Sequence, residues 1–295
     1  MKHKLIDKGI HSVFFIMALF SITALGLILV FLCKEGVGIL SHVSLGDFLF
    51  GHYWYPTDEP PDFGILPLIA GSLSVTVLSG LMAIPLGIMT AVYLSEIASP
   101  KVAEVIKPIV ELMASMPSVV IGFFGMVVVA PFIQDLFNIP VGLNLFNASL
   151  MLAFMAVPTI CSISEDAIFS VPMALKEASF ALGATHFETI ARVVVPASLS
   201  GICTAVILGL SRAVGETMVV LMAAGGAAMI PGSVFDPVRP MPASIAAEMA
   251  EAPFGSEHYH ALFAIGIVLF LFTFVFNMIA DHISYRFRQV GEASL

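Results

Sequence analysis

Charged residues are scarce in this sequence. Asp, Glu, Lys and Arg account for 11% of the chain, less than half of the roughly 25% that soluble domains carry. Hydrophobic residues make up 59%, and the mean hydropathy is +1.01. A soluble globular domain is therefore excluded. The apolar runs between the few charges reach the roughly 20 residues that a membrane-spanning helix needs.

Cysteine is nearly absent as well. Cys33, Cys161 and Cys203 stand singly in or beside apolar runs, so no spacing predicts a zinc site or a disulfide framework. No GxxxxGKS/T phosphate loop occurs, and no Gly is followed by Lys, which excludes that type of nucleotide site. The carboxylates are dispersed, and no nucleophile stands beside a histidine in a recognisable pattern. We therefore expect neither an enzyme nor a partner that is a nucleic acid.

Six apolar segments are predicted to span a membrane as helices: 11–33, 68–95, 109–132, 147–165, 196–223 and 259–282. The first follows three lysines but exceeds the usual 7–15 apolar residues of a signal peptide, so we predict a retained helix. Eleven basic residues lie outside the spans. Nine fall on one side of this topology: Lys2, Lys4, Lys8, Lys101, Lys107, Lys176, Arg192, Arg286 and Arg288. The other two, Lys34 and Arg239, fall on the opposite side. Because basic loops stay in the cytoplasm, both termini are predicted to be cytoplasmic.

One basic residue remains inside a predicted span. Arg212 lies in the fifth segment, and Glu216 follows four residues later in the run SRAVGET. A charge at the bilayer centre costs about 2.5–3.5 kcal/mol on insertion scales, so it is expected to face the protein interior and to have a use. The planar guanidinium suits an oxyanion such as phosphate, with Glu216 either holding Arg212 at rest or accepting a substrate proton. The alternative is a purely structural ion pair.

Smaller polar side chains give a weaker signal for a substrate path. Ser72, Thr76 and Ser79 form a stripe along the second span. Small polar residues in such helices either line a path or let the helices pack closely. Both interpretations stay open.

A compact polar stretch, EASFALGATHFETIARVVVP at residues 177–196, lies in the loop between spans four and five. Gly183 can end a helix in a left-handed conformation, and Thr185 with Glu188 forms a capping-box pattern that starts another helix. The loop is therefore predicted to hold two short helices on the cytoplasmic side. Such a pair is either a docking surface for another protein or an amphipathic segment that lies on the membrane.

The same stretch resembles the EAA signature of ABC importer permeases. The residues that stand at the spacing of that signature are Glu177, Ala178, Ser179, Gly183 and Pro196. The departures are a Ser for the second Ala and two Val for Ile and Leu. In that family the loop holds the coupling helix, which inserts into a cleft of the ATPase subunit. The resemblance therefore implies that these five residues serve ATPase coupling.

Three longer stretches, 71–96, 111–125 and 166–220, resemble the permeases of phosphate-specific ABC importers. Within the last, the run GETM at 215–218 resembles the PstC-type subunit, whereas the PstA-type subunit usually continues GETAP. The resemblance implies a phosphate path at Arg212, Glu216 and Thr217, to which the polar stripe on the second span would add Ser72 and Thr76.

The implied fold is an all-α polytopic membrane protein with six transmembrane helices, the type I ABC importer permease fold. Residues 1–67 would form the first helix and an extracytoplasmic loop, 68–282 the permease domain with its coupling loop at 166–195, and 283–295 a cytoplasmic tail. The implied partners are a PstA-type permease in a heterodimer, a dimer of ATP-binding subunits, an extracytoplasmic phosphate-binding protein and the lipid of a bacterial-type inner membrane. No cofactor is expected on this chain, because ATP and Mg²⁺ belong to the partner ATPase.

Two alternatives stay open. One is an ABC permease for another oxyanion, such as molybdate, sulfate or phosphonate. The other, which we favour less, is a stand-alone secondary transporter. Against it, the chain is short, shows no evident half-to-half symmetry and devotes its best-formed loop motif to docking.

Overall fold

The computed structural model describes the backbone of residues 2–292, and the side-chain surroundings of residues 10, 11 and 13–282. In chain order the helices and strands are α1 (Lys2–Gly36), α2 (Leu45–Phe50), β1 (Trp54–Tyr55), β2 (Asp62–Phe63), α3 (Leu66–Val92), α4 (Pro100–Ser115), α5 (Ser118–Phe124), α6 (Ala130–Phe137), α7 (Leu145–Phe169), α8 (Met173–Ala181), α9 (His186–Thr189), α10 (Val195–Ala197), α11 (Leu199–Val214), α12 (Met218–Ala223), α13 (Met241–Glu248) and α14 (Glu257–Glu292). A 3₁₀ turn and three π-helical turns lie between them, at Val37–Ser41, Tyr93–Ile97, Gly125–Val129 and Ile190–Val194.

Five helical segments of the described chain are long and apolar enough to cross a membrane: Val13–Ser41, Leu66–Ile97, Ser118–Phe137, Leu145–Phe169 and Glu257–His282. A sixth qualifies only as a bent pair, His186–Ala197 with Leu199–Val214. The predicted all-α membrane fold is confirmed, but the third and fifth spans differ from the prediction. Helix α14 continues as far as Glu292 into the predicted tail 283–295, and residues 293–295 lie outside the described part.

The third predicted span, 109–132, is wrong. Its first residues belong to α4, an amphipathic helix whose side chains are all at least partly exposed. Pro117 follows α4, and a proline disfavours the helical conformation for the residue before it. Met116 accordingly has a ψ of 133°, and the helix ends. The spanning helix begins at Ser118 and runs through α5, a π-helical turn and α6.

The fifth predicted span, 196–223, is also wrong as one continuous helix. The chain bends by 68° between α10 and α11, at Ser198. Helix α11 then ends at Val214, residues 215–217 are not helical, and α12 restarts the helix. Irregular backbone at membrane depth is tolerated only where protein surrounds it or where it lines a water-filled cavity. The break therefore indicates a place where the chain meets other protein or a polar path.

The packing of the bundle centres on α7, which contacts both α3 and α11. All three helices meet at Ile160, whose side chain is buried. A Cβ on Gly87 of α3 would lie 2.7 Å from the Ile160 side chain, and one on Gly209 of α11 would lie 2.6 Å from it. Close helix contacts of this kind require small residues, so both glycines set the spacing of the bundle.

A carboxylate hub fastens the loops at the end of the bundle where α3 and α14 begin. Glu248 of α13 accepts hydrogen bonds from Trp54 Nε1 at 3.0 and 3.1 Å and from Ser244 Oγ at 3.1 Å. It also pairs with Arg239 Nη1 and, at 2.9 Å, with His258 Nε2. These partners come from β1, the loop before α13, α13 itself and the start of α14. One side chain therefore joins four segments, and no local pattern in the sequence predicts it.

Glu248→Ala is expected to destabilise these loops, because the Arg239 guanidinium and the Trp54 indole lose their acceptor. Removing one partner of a buried ion pair costs roughly 3–5 kcal/mol. The cost is expected to be smaller here, since the Arg239 side chain is 30% exposed. The measurement is the thermal unfolding temperature of the purified protein in detergent.

Glu251→Ala is the matched control, because Glu251 is exposed and lines the same surface cavity as Glu248, Trp54 and Arg239. A drop in unfolding temperature for Glu248→Ala alone is the expected result. Equal unfolding temperatures for the two variants would contradict the role of the hub.

Candidate functional site

Two short helices between the fourth and fifth spans form a projecting segment, residues 173–189, that we call the knob. Helix α8 ends in a turn at Gly183, which has a φ of +85°, a conformation that glycine adopts without steric cost. Thr185 Oγ1 accepts a hydrogen bond from the Glu188 N–H at 3.3 Å, and Glu188 Oε2 accepts one from the Thr185 N–H at 2.9 Å. The predicted helix pair, turn glycine and capping box are therefore confirmed.

The outer face of the knob carries large apolar side chains. Leu182 is 89% exposed and Phe187 is 76% exposed. Glu177 and Ala178, two of the predicted coupling residues, are exposed on the same segment. Large apolar side chains that stand free at a loop tip are typical of an interaction surface.

The inner face of the knob is polar at one point and apolar around it. Ser179 is buried, and its hydroxyl lies 2.9 Å from Thr189 Oγ1, which links α8 to α9. Leu175 of α8 packs against an apolar cluster from the ends of α3 and α7, the π-helical turn before α10 and the start of α11: Ala91, Leu94, Cys161, Ile168, Val171, Val194 and Ile202. The knob is therefore seated on the ends of three spans.

The predicted coupling residues thus divide by position. Glu177 and Ala178 face outward, Gly183 makes the turn, and Ser179 holds the two helices together. Pro196 lies apart from them in α10, just before the 68° bend. Their role in coupling stays a prediction.

Arg212 and Glu216 flank the break in the fifth span. Arg212 is exposed in the last turn of α11, where the helix dipole favours a cation. Glu216 lies beyond the end of that helix, and its Oε1 accepts hydrogen bonds from the N–H groups of Met218 at 3.1 Å and Val219 at 3.4 Å. Glu216 therefore caps α12.

The predicted resting ion pair between these two residues is not formed. Among the described residues, none of the ion pairs within 4.0 Å joins Arg212 to Glu216. A spacing of four brings side chains together only on a continuous helix, and α11 ends between them. Both residues nevertheless border one narrow cleft against α7, which has no room for a water molecule and is also lined by Leu152, Met155, Ala156, Gly209 and Ala213.

The other predicted path residues make contacts within the subunit. Thr217 lies in the break, with its hydroxyl 3.4 Å from the carbonyl of Gly215. Ser72 and Thr76 are buried: Ser72 Oγ accepts from the Met241 N–H at 2.8 Å, and Thr76 Oγ1 donates to the Ser72 carbonyl at 2.8 Å. These contacts favour packing of α3 against α13. The assignment of these residues to a path stays a prediction.

Two lysine–carboxylate pairs could not be predicted from the sequence, because the two residues of each pair are far apart in the chain. Lys107 of α4 donates to Glu165 of α7 at 2.5 Å, and this hydrogen bond raises the pKa of Lys107. Lys176 of α8 donates to Glu96 at 2.6 Å. No group of His, Cys, Asp and Glu within the described residues is arranged to hold a metal ion.

Comparison with known proteins identifies the family. Residues 83–289 match the model of the binding-protein-dependent transport system inner membrane component. The chain belongs to this family. The protein is therefore a membrane subunit of a transport system that works with a binding protein.

The alignments with curated relatives extend over most of this chain. The probable ABC transporter permease protein YqgH of Bacillus subtilis is 40% identical over 271 residues, which is 91% of this chain and 88% of the relative. The phosphate transport system permease protein PstC of Mesorhizobium japonicum is 36% identical over 258 residues, 81% of this chain and 78% of the relative.

Solved structures support the same fold. An inward-facing MetNI methionine ABC transporter chain aligns with a TM-score of 0.60 at 22% identity, over 78% of this chain and 99% of that one. A bacterial alginate ABC transporter chain aligns with a TM-score of 0.63 at 17% identity, over 92% and 94%. At these identities the likeness shows the fold alone, and the predicted ABC importer permease fold is confirmed.

The turn of the knob gives a direct test of its architecture. Gly183→Val is expected to loosen residues 173–189, because a β-branched residue is strained at a φ of +85° although nothing lies within 4 Å of the new Cβ. Gly183→Asn is the matched control, since asparagine tolerates positive φ better. Hydrogen exchange of this segment in the purified permease is the measurement. Equal exchange in the two variants would show that backbone strain at Gly183 is unimportant.

Proposed function

We propose that this permease is the PstC-type subunit of an ATP-driven importer of inorganic phosphate. Several relatives are named phosphate transport system permease protein PstC, including that of Haemophilus influenzae, which is 34% identical over 247 residues. The observation on this chain that carries the proposal is the placement of Arg212 and Glu216 at one cleft beside a broken span.

The chemistry of Arg212 suits a phosphate path. Its guanidinium stays charged at every physiological pH and presents a fork of donors that matches two phosphate oxygens. The side chain is exposed on the subunit and has no ion-pair partner within the described residues. A charged group in a span is expected to face a polar path or a partner. Arg212 would therefore meet the anion between this permease and a second one of the PstA type.

Glu216 would limit how tightly the anion is held. Its carboxylate is already bound to the N–H groups at the start of α12, so it is fixed beside the cleft that Arg212 borders. A fixed negative charge there repels phosphate, or accepts its proton. Rapid release is what a transport path requires, since a site that binds too tightly would trap its substrate.

The knob supplies the proposed connection to the ATPase dimer. Leu182 and Phe187 offer apolar anchors at its tip, and the described chain continues into the spans on both sides of it. In this arrangement the knob and both termini lie in the cytoplasm, and the Glu248 hub lies on the outer side, where the phosphate-binding protein would deliver its cargo. ATP and Mg²⁺ would be bound by the ATPase subunits.

Uptake into proteoliposomes tests the substrate. The complete complex, reconstituted with its binding protein and supplied with ATP inside, is expected to accumulate radiolabelled phosphate. Unlabelled phosphate should compete, whereas sulfate, molybdate and phosphonate should not. Accumulation of one of those oxyanions in place of phosphate would contradict the proposed substrate and leave the ABC permease assignment standing.

Arg212→Gln is expected to reduce phosphate uptake by about 10- to 100-fold, as the loss of a charge-assisted hydrogen bond of roughly 1.5–3 kcal/mol implies. Arg212→Lys should also be impaired, because an ammonium keeps the charge but loses the fork. Uptake is compared at equal amounts of assembled complex, judged by the ATPase that co-purifies.

The double variant Arg212→Gln with Glu216→Gln separates the two roles. If Arg212 binds the anion, uptake stays low in the double variant. Near-normal uptake would show that the two charges only balance each other, and the path role of Arg212 would be wrong.

A further inference from the structure

A largely buried ion pair joins the knob to α3, a span that does not adjoin the knob in the chain. Lys176 Nζ lies 2.6 Å from Glu96 Oε1, and the two side chains are only 16% and 7% exposed. Lys176 is on α8, directly before the exposed Glu177. Glu96 lies in the π-helical turn Tyr93–Ile97 that ends α3.

The connectivity of the knob shows what this pair adds. The chain itself links the knob to α7 on one side, through residues 170–172, and to α11 on the other, through α10. No such link reaches α3, which ends about 80 residues earlier in the chain than Lys176. Within the described residues, the ion pair and the apolar cluster beneath the knob are the contacts that tie α3 to it.

The knob does not need this pair for its own shape. Its turn is made by Gly183, its second helix is started by the capping box, and its two helices are joined by Ser179 and Thr189. Burying two charges is unfavourable unless the geometry of the pair is good. This pair loses hydration energy, and the shape of the knob does not require it. Its role is therefore best explained by the alignment of α8 with α3.

The end of α3 suits such an alignment. In the turn Tyr93–Ile97 the Ala98 N–H bonds the Tyr93 carbonyl at 2.7 Å, one residue further along than in an α-helix. A second π-helical turn, Ile190–Val194, lies where the knob leads into α10. Single π-helical turns are frequent at functional sites. The end of α3 that pairs with the knob and the segment that leads from the knob into α10 therefore both depart from regular α-helix.

We propose that Lys176 and Glu96 are positioning residues that make α3 move together with the knob, so that ATP hydrolysis by the docked ATPase is tied to the opening of the transport path. This inference rests on the proposed function, because it requires an ATPase on the knob. The residues act through helix position and touch neither phosphate nor ATP. Without the pair, the knob would still bind the ATPase and would stay linked by the chain to α7 and α11, but apolar packing alone would hold α3 to it.

The test uses the reconstituted complex and two readouts: stimulation of ATP hydrolysis by the phosphate-loaded binding protein, and phosphate transported per ATP hydrolysed. Lys176→Met and Glu96→Gln are each expected to lower stimulation by about tenfold, a coupling within the range for residues in contact. The amount of co-purified ATPase should not change. The double variant should be no worse than either single variant, and Lys176→Arg, which keeps the charge, should stay near the wild type.

Lys101→Met is the matched control, since Lys101 is exposed on α4 and makes no ion pair among the described residues. It should behave as the wild type. The proposal is overturned if the single variants are stimulated normally or if their effects simply add. It is also overturned if stimulation falls only in proportion to the ATPase recovered, because the pair would then serve assembly alone.

If the proposed function is wrong, the pattern of ATPase stimulation is different. In that case the wild-type complex itself would not respond to the phosphate-loaded binding protein. If another oxyanion stimulates it, the same variants are compared with that oxyanion, and the role of Lys176 and Glu96 is judged on the same criteria.

Discussion

The cost of placing a charge in apolar surroundings governs this structure. Such a charge is tolerated when it is paired and hydrogen-bonded, and the described part of the chain follows this rule with few exceptions. Glu248 is surrounded by four partners, and Lys107 and Lys176 each have a carboxylate within 2.6 Å. Arg212 departs from the rule, because it lies at the end of a spanning helix without an ion pair in the described residues. That exception is why we assign it to the substrate.

The paired charges lie at opposite ends of the bundle and join different elements there. At one end the Glu248 hub holds the loops against the starts of α3 and α14, which favours a rigid surface there. At the other end the lysine pairs join α4 to α7 and α8 to α3, beneath a knob whose tip is exposed. One end of the bundle therefore carries the proposed docking surface, and the other end carries the loops that the Glu248 hub joins.

Features that depend on neighbouring residues could be predicted from the sequence, and features that depend on distant ones could not. The knob was predictable because Gly183 and the capping box act within a few residues. Long apolar runs predicted most spans, but hydropathy alone overlooked the stop at Pro117. The expected contact between Arg212 and Glu216 assumed a continuous helix, and the helix ends between them. The partners of Glu248 and Lys176 are brought together only by the tertiary fold, so no local pattern indicates them.

The proposed coupling requires the knob to lie on the ATPase side of the membrane, and the accessibility of residue 182 to a thiol reagent measures this directly. In a variant without Cys33, Cys161 and Cys203, a Leu182→Cys side chain should cross-link to the ATPase subunit. It should also resist a membrane-impermeant thiol reagent added outside intact cells. Val234→Cys, exposed in the loop before α13, should react from outside and form no such cross-link. Labelling of Leu182→Cys from outside, with no cross-link to the ATPase, would contradict the account.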